Sequence, residues 1–358
     1  MLHKPQSIKK LLVILFCCSC TYYASSQNLP RIIVLSTGGT IAGQQPNTDR
    51  AGYLPAKIPI DTLLKNIPSI NQKAIVRGEQ IASIGSYDMT IEIWLTLAKR
   101  INAIFAKNEA DAIVITHGTD TQEETAYFLN LVVQSDKPVV LTGAMRPATA
   151  ISGDGPKNLY DAIIVASDVN SKGKGVLVCF NENVYDAKNV VKINTTNVNA
   201  FASPNAGSIG QVYDGKVSYN TPSFTSRSGF TPFDINKIDS LPTVEIVYAY
   251  AGASNVAINA LINNHTPGII IAGSGNGSFD KAIRESVKTA VSKNIVVVRS
   301  SRVVSGKVTP QYTGAFDDAK LGTIVSDKLN PQKARILLML ALTITKDKNK
   351  IQEMFLTY

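Results

Sequence analysis

Two short loops hold most of the residues able to do chemistry. The first reads Ser36-Thr37-Gly38-Gly39-Thr40-Ile41-Ala42-Gly43 and the second Thr116-His117-Gly118-Thr119-Asp120-Thr121. Paired glycines let backbone approach a ligand closely and aim amide hydrogens at it, while the threonines offer hydroxyls. The glycine spacing in the first loop matches neither the dinucleotide fingerprint nor the P-loop, and no lysine follows it, which counts against nucleotide binding. In the second loop Asp120 suits a substrate ammonium and Thr119 suits the positioning of an attacking group. Thr121 reads first as the N-cap of a helix beginning near Gln122.

Histidine usage narrows the chemistry. Beyond the first 26 residues only His117 and His265 occur, so neither a metal cluster nor a Ser-His-Asp relay is easily assembled. A hydrolase built here needs a different base, and lysine or tyrosine can serve when the local environment lowers its pKa. No metal and no cofactor is called for.

The elements that must position these loops alternate in type. β-branched runs at 32–35, 112–116, 139–141, 176–179, 244–248, 269–272 and 295–298 are separated by helical patterns at 59–66, 91–107, 122–134, 158–167, 280–292 and 331–345. Near-continuous apolar strands alternating with helices predict an α/β fold with mainly parallel sheets covered by helices. Residues 221–242 hold Pro222, Pro232 and Pro242 and no apolar run, as expected of a linker between a catalytic α/β domain at 28–220 and a second α/β domain at 243–358. The stretch 336–342 is apolar on every face, which predicts a helix in the core or at a subunit contact.

Composition bounds the rest. The 358 residues are 44% apolar and 18% charged, ordinary for a globular chain. Lys4, Lys9 and Lys10 precede an apolar run at 11–18, and Ala24, Ser25 and Ser26 follow. That is the layout of a signal peptide over residues 1–26, and its apolar run is too short to span a bilayer. The expected location is therefore periplasmic or secreted, with lipid modification at Cys20 the weaker alternative. Those three lysines account for +3 of the formal charge of +9. The remaining bases are scattered, with no aromatic-studded stripe of the kind that binds nucleic acid. Processing after Ser26 leaves Cys179 alone, so no internal disulfide is available, and its apolar strand makes it a small core residue.

The two loops, together with other segments in the same order, resemble the bacterial-type L-asparaginase and glutaminase-asparaginase family. Those segments are Gly85-Ser86-Tyr87-Asp88-Met89, Gly143-Ala144-Met145-Arg146-Pro147, Asp154-Gly155-Pro156-Lys157-Asn158-Leu159-Tyr160, Lys192-Ile193-Asn194-Thr195-Thr196, Arg299-Ser300-Ser301-Arg302 and Leu329-Asn330-Pro331-Gln332-Lys333-Ala334-Arg335. The resemblance covers residues 29–358. It implies hydrolysis of L-asparagine to L-aspartate and ammonia, with L-glutamine a rival substrate and a homotetramer, built as a dimer of dimers, the expected assembly. Thr40 is then the nucleophile, helped by Tyr53 from the loop at 44–55, and Thr119, Asp120 and Lys192 form a second cluster. Ser86 binds the substrate α-carboxylate, Asp120 its α-ammonium and the Ala144 carbonyl its amide nitrogen. Tyr87, Gly252 and Ala315 depart from the common pattern around the ammonium pocket, and the long loop at 307–316 offers Asp317 or Asp318 as a replacement carboxylate. Without the resemblance, a periplasmic amino-acid-binding protein has the same outline, two α/β domains behind a signal peptide, but needs no reactive threonine.

Overall fold

The computed structural model describes residues 29–46, 52–220 and 231–358. The expected signal peptide, with Cys20, lies outside these residues, as do parts of the loop at 44–55 and of the linker. No helix among the described residues is long and apolar enough to cross a membrane.

In chain order the strands are β1 (Arg31–Gly38), β2 (Ile75–Ile84), β3 (Ala112–Thr116), β4 (Val139–Thr142), β5 (Val176–Phe180), β6 (Asn183–Asp186), β7 (Val191–Lys192), β8 (Phe201–Ala202), β9 (Gly210–Tyr213) and β10 (Lys216–Tyr219), then β11 (Val244–Tyr248), β12 (Gly268–Gly273), β13 (Val296–Ser301) and β14 (Ile324–Val325). The helices are α1 (Ile60–Lys65), α2 (Ile91–Ala106), α3 (Gln122–Val132), α4 (Gly155–Ser167), α5 (Val256–Asn263), α6 (Lys281–Ser292), α7 (Asp318–Leu321), α8 (Pro331–Leu342) and α9 (Lys348–Thr357). The fold is α/β, as the alternation of runs predicts.

An eight-stranded sheet runs in the order β10-β9-β6-β5-β4-β3-β1-β2. Strands β2, β1, β3, β4 and β5 pair in parallel, and β6, β9 and β10 extend the sheet antiparallel. Its inner parallel strands β1, β3, β4 and β5 are buried almost throughout because both faces are covered. Ile32 and Val34 of β1 join the cluster with α4, whereas Ile33 and Leu35 join the cluster with α2, α3 and α8. A second sheet, β11-β12-β13-β14, is wholly parallel. One of its faces packs with α5 and α6, and the other contributes Val244, Ile270 and Val298 to the cluster shared with α3 and α8.

Helix α8 settles one alternative. Ile336 through Ala341 are at most 0% exposed, so its all-round apolarity is that of a core element between the two sheets and not of a subunit contact. Cys179, the one cysteine among the described residues, is likewise buried in β5.

Several elements lie beyond the sequence expectations. β2 carries Arg77 and Glu79 on a partly exposed edge, so it lacks the continuous apolar run by which the inner strands are recognised. α9 is built from KNKIQEMFLT and buries only Ile351 and Phe355 fully, too narrow a stripe to stand out. The segment expected to be a linker also does more than span a gap: Phe233, Ile235, Ile238 and Leu241 are buried in the shared core.

In the second sheet the guanidinium of Arg299, fully buried, meets Asp318 through Nε–Oδ1 at 2.6 Å and Nη2–Oδ2 at 2.7 Å. Removing one partner of a buried ion pair leaves an uncompensated charge, at a cost of about 3–5 kcal/mol. Asp318→Ala is therefore expected to lower the unfolding free energy by about that amount, read from chemical denaturation. A loss under about 1 kcal/mol, the range of exposed pairs, counts against this role.

Candidate active site

The strand order β3-β1-β2 reverses direction at β1: the chain moves outward to β2 and then returns across β1 to β3. In open α/β sheets the crevice beyond the carboxyl ends of the strands at such a reversal is where ligands bind. Both threonine loops leave the sheet there, one from the end of β1 and the other from the end of β3.

Glycine brings the loops together. Gly38 and Gly39 have φ of 107° and 79°, a region that L side chains rarely adopt. A Cβ on Gly39 would lie 2.4 Å from the Cα of Gly118, and one on Gly118 would lie 2.6 Å from the Ser86 Oγ. A Cβ on Gly143, just after β4, would lie 2.4 Å from the His117 carbonyl oxygen. Backbone thus packs directly on backbone from β1 to β4, with Ser86 wedged against the centre.

Thr40 follows these glycines in a buried 3-10 turn, and its Oγ1 is 2.5 Å from the Tyr53 hydroxyl. The loop that carries Tyr53 is closed by reciprocal backbone bonds between Gln44 and Leu54 of 3.0 and 2.9 Å. Tyr53 remains 38% exposed, so the pair is within reach of solvent and of a ligand.

A second group forms around Thr119. The Lys192 Nζ donates to the Thr119 Oγ1 at 2.9 Å and to the Asp120 Oδ1 at 2.6 Å. Lys192 is largely buried whereas the Asp120 side chain is 55% exposed, which leaves the carboxylate open to a ligand. The Asp120 amide donates to the Ser86 Oγ at 3.1 Å, so the hydroxyl hydrogen of Ser86 is free for another acceptor. Thr121 occupies the N-cap position of α3 without a side-chain cap bond. Its hydroxyl instead donates to the Ser86 carbonyl at 2.8 Å and ties the two loops together.

The remaining expected residues divide. Ala144 is fully buried, and the loop after it is clamped by Asp154, whose carboxylate accepts from the amides of Met145 and Arg146 at 2.9 Å each. Tyr87 is 66% exposed, with its ring folded over Gly85. Gly252 has φ of 75° and open space where a side chain would stand. Ala315 lies in the turn Gly314–Phe316 just before α7. Neither aspartate beside it is free to act as the replacement carboxylate: Asp318 is held by Arg299, and Asp317 caps α7 by accepting from the Lys320 amide at 3.2 Å.

Glu123 carries a task that the sequence reading did not assign. In the first turn of α3 it looks like an ordinary helix-start acid, but it is buried and its Oε2 accepts from the Lys192 amide at 3.2 Å. Burial pushes its carboxyl up, opposed by the charge of Lys333 and by that hydrogen bond.

His117 is structural. Its Nδ1 lies 2.7 Å from the Gly118 carbonyl, an acceptor that makes Nδ1 the protonated nitrogen, and its Nε2 accepts from Thr125 at 2.9 Å. Thr125 in turn accepts from the Trp94 indole at 2.8 Å. Complete burial lowers the imidazole pKa to about 4.

An open α/β sheet brings one threonine onto a phenol and another onto a lysine at its topological reversal, an arrangement suited to hydrolysis by a hydroxyl nucleophile. Residues 31–225 match the family described as "Asparaginase, N-terminal" and residues 243–355 the "Glutaminase/Asparaginase C-terminal domain". The chain is 49% identical to the "Probable L-asparaginase periplasmic" of Haemophilus influenzae, across 93% of this chain and 94% of that one. It is 48% identical to "L-asparaginase 2" of Escherichia coli, across 92% and 94%. The crystal structure of a "Probable Cytoplasmic L-asparaginase" from Campylobacter jejuni superposes with a TM-score of 0.88 at 50% identity, across 92% of this chain and all of that one. The chain belongs to the asparaginase family.

The buried imidazole has a measurable consequence. His117 stays neutral in the folded chain while in the unfolded chain it gains a proton below about pH 6.5. Stability from this group is therefore lost as the pH falls from about 6.5 towards 4, by on the order of 3 kcal/mol in all. Glu124, whose pKa burial raises to about 7, acts in the opposite sense between about pH 4.5 and 7. It is common to both proteins when wild type is compared with His117→Gln, so it cancels. The variant is expected to lose stability less steeply than wild type on acidification in urea titrations; parallel curves would contradict a neutral, buried His117.

Proposed function

We propose that the chain is an L-asparaginase, hydrolysing the side-chain amide of L-asparagine to L-aspartate and ammonia through an ester on Thr40. The observation that carries this reading is the 2.5 Å contact between Thr40 and Tyr53 beside the Thr119–Lys192–Asp120 group, at the reversal point of a sheet whose chain belongs to the asparaginase family.

The roles follow from hydrogen-bond capacity. Thr40 Oγ attacks the amide carbon as its proton passes to the Tyr53 oxygen and the phenol gives up its own proton towards the leaving nitrogen, since a hydroxyl attacks an amide usefully only when its proton is taken away. The C–N bond breaks, the nitrogen leaves with an added proton as ammonia, and an aspartyl ester remains on Thr40. Water then attacks the ester, and aspartate and the Thr40 hydroxyl are restored. Backbone amides of the packed glycine loops are suited to the oxyanion that forms at each stage. Thr119, polarised by Lys192 and Asp120, moves protons to the departing nitrogen and from the attacking water. Ser86 gives its spare hydroxyl hydrogen to the α-carboxylate, the exposed side of Asp120 takes the α-ammonium, and the Ala144 carbonyl takes the amide nitrogen, with Tyr87 at the pocket rim.

The two sheets correspond in this reading to two domains, residues 28–220 and 243–358, joined by 221–242. Residues 1–26 act as a signal peptide, so the enzyme is periplasmic or secreted, and subunits assemble as a dimer of dimers. The mass of the secreted protein and its mass in solution by light scattering check these two points.

Ammonia release decides the activity. The purified protein is expected to release ammonia from L-asparagine with kcat/KM at least about tenfold above that for L-glutamine, a margin one well-placed pocket contact can supply. The reverse preference makes glutaminase the main activity, and no release from either amide, with ligand bound, returns the amino-acid-binding protein.

A further inference from the structure

Lys192 is held by very little of its own. β7 has two residues and pairs only with the two of β8. Such a short ladder fixes few dihedral angles, yet the ammonium must stay within hydrogen-bond reach of both Thr119 and Asp120. A loose support of this kind usually costs a catalytic group its geometry.

The support comes from the other half of the chain. Lys333, in the first turn of α8, is 1% exposed and points its ammonium into the turn that precedes β7. Its Nζ donates to the Lys188 carbonyl at 3.0 Å and to the Val190 carbonyl at 2.5 Å. Val190 is two residues from Lys192. On the next amide but one, Lys192 N donates to Glu123, whose other oxygen accepts from Asn330 at 3.5 Å. Asn330 caps α8 by accepting from the Lys333 amide at 3.0 Å.

We propose that Lys333 is a positioning residue for Lys192: its buried ammonium, on two carbonyls just before β7, and the Asn330–Glu123 link, on the Lys192 amide, together hold the Lys192 ammonium against Thr119 and Asp120.

A buried lysine is a costly way to fill space, because an apolar side chain of the same length fills it with no charge to desolvate. A lysine does what the apolar chain cannot: it gives several directed donors, and here two of them close a turn whose carbonyls have no strand partner to take them. The opposing charges are at hand, since Glu123, Asp186 and Glu124 all favour the charged form of Lys333 against its burial. Asp186 also braces the same turn, accepting from the Asn189 amide at 3.0 Å. The seam between the two sheets is therefore part of the catalytic support, although none of its residues is in the crevice.

This inference rests on the reading of Lys192 as a working part of the site, and a double-mutant cycle separates the two. Lys192→Met alone should lower kcat by on the order of a hundredfold, as for loss of a general-base or electrostatic element. Lys333→Met should lower kcat by roughly tenfold with KM changed less than about threefold. Added to Lys192→Met, Lys333→Met should change kcat by less than about twofold, because a residue that acts through Lys192 has nothing left to position. Lys333→Gln, which keeps one donor for one carbonyl, should fall between wild type and Lys333→Met, and it carries the cycle if the methionine variant does not fold. Wild-type kcat in a folded Lys333 variant, or losses that multiply in the Lys192→Met background, overturns the positioning role. Unchanged kcat in Lys192→Met itself overturns the reading of Lys192 instead.

Discussion

The site depends on one steric constraint: the backbones of Gly39 and Gly118 touch. A Cβ on Gly39 would sit 2.4 Å from the Gly118 Cα, so a side chain here would push apart the loops after β1 and β3. Their contact brings a threonine on a phenol and a threonine on a lysine to one crevice. The parallel sheet makes this contact reachable, because neighbouring strands β1 and β3 deliver their loops at the same edge and the topology reverses between them.

Around that contact Ser86 and Asp120 each make a structural bond and keep hydrogen-bonding capacity to spare. The Ser86 oxygen accepts from the Asp120 amide and keeps its hydrogen. Asp120 gives one oxygen to Lys192 and faces solvent with the rest of its carboxylate. His117, at the same loop, is spent entirely on structure through the Gly118 carbonyl and Thr125. With both ring nitrogens committed, the histidine beside the site is not placed to act as a base. The second sheet matters too, since α8 reaches the Lys192 segment through Lys333 and Asn330.

The parallel core was legible in the sequence because strands buried on both faces must be apolar at nearly every position, as in 112–116 and 176–179. Edge and cover elements were not, since β2 and α9 bury only part of their surface and carry charges on the rest. At the site, the glycine–threonine loops announced themselves through residue type, whereas the grouping of Tyr53, Ser86 and Lys192 with them rested on family resemblance. No local pattern places Lys192 next to Thr119, 73 positions away. Glu123 and Lys333 were invisible for a related reason: their importance comes from burial between the two sheets, and each reads locally as a helix-end charge. The replacement carboxylate sought in Asp317 or Asp318 fails because each is committed to a partner within its own half, a fact of packing that loop length cannot reveal.

The central claim is that Thr40 forms a covalent bond to the substrate. Enzyme quenched in acid during turnover of L-asparagine and digested should yield a Thr40 peptide heavier by one aspartyl group, and Thr40→Ala should yield none while still binding the substrate. An aspartyl adduct on Thr119 in its place, or turnover by Thr40→Ala near the wild-type rate, would contradict the account.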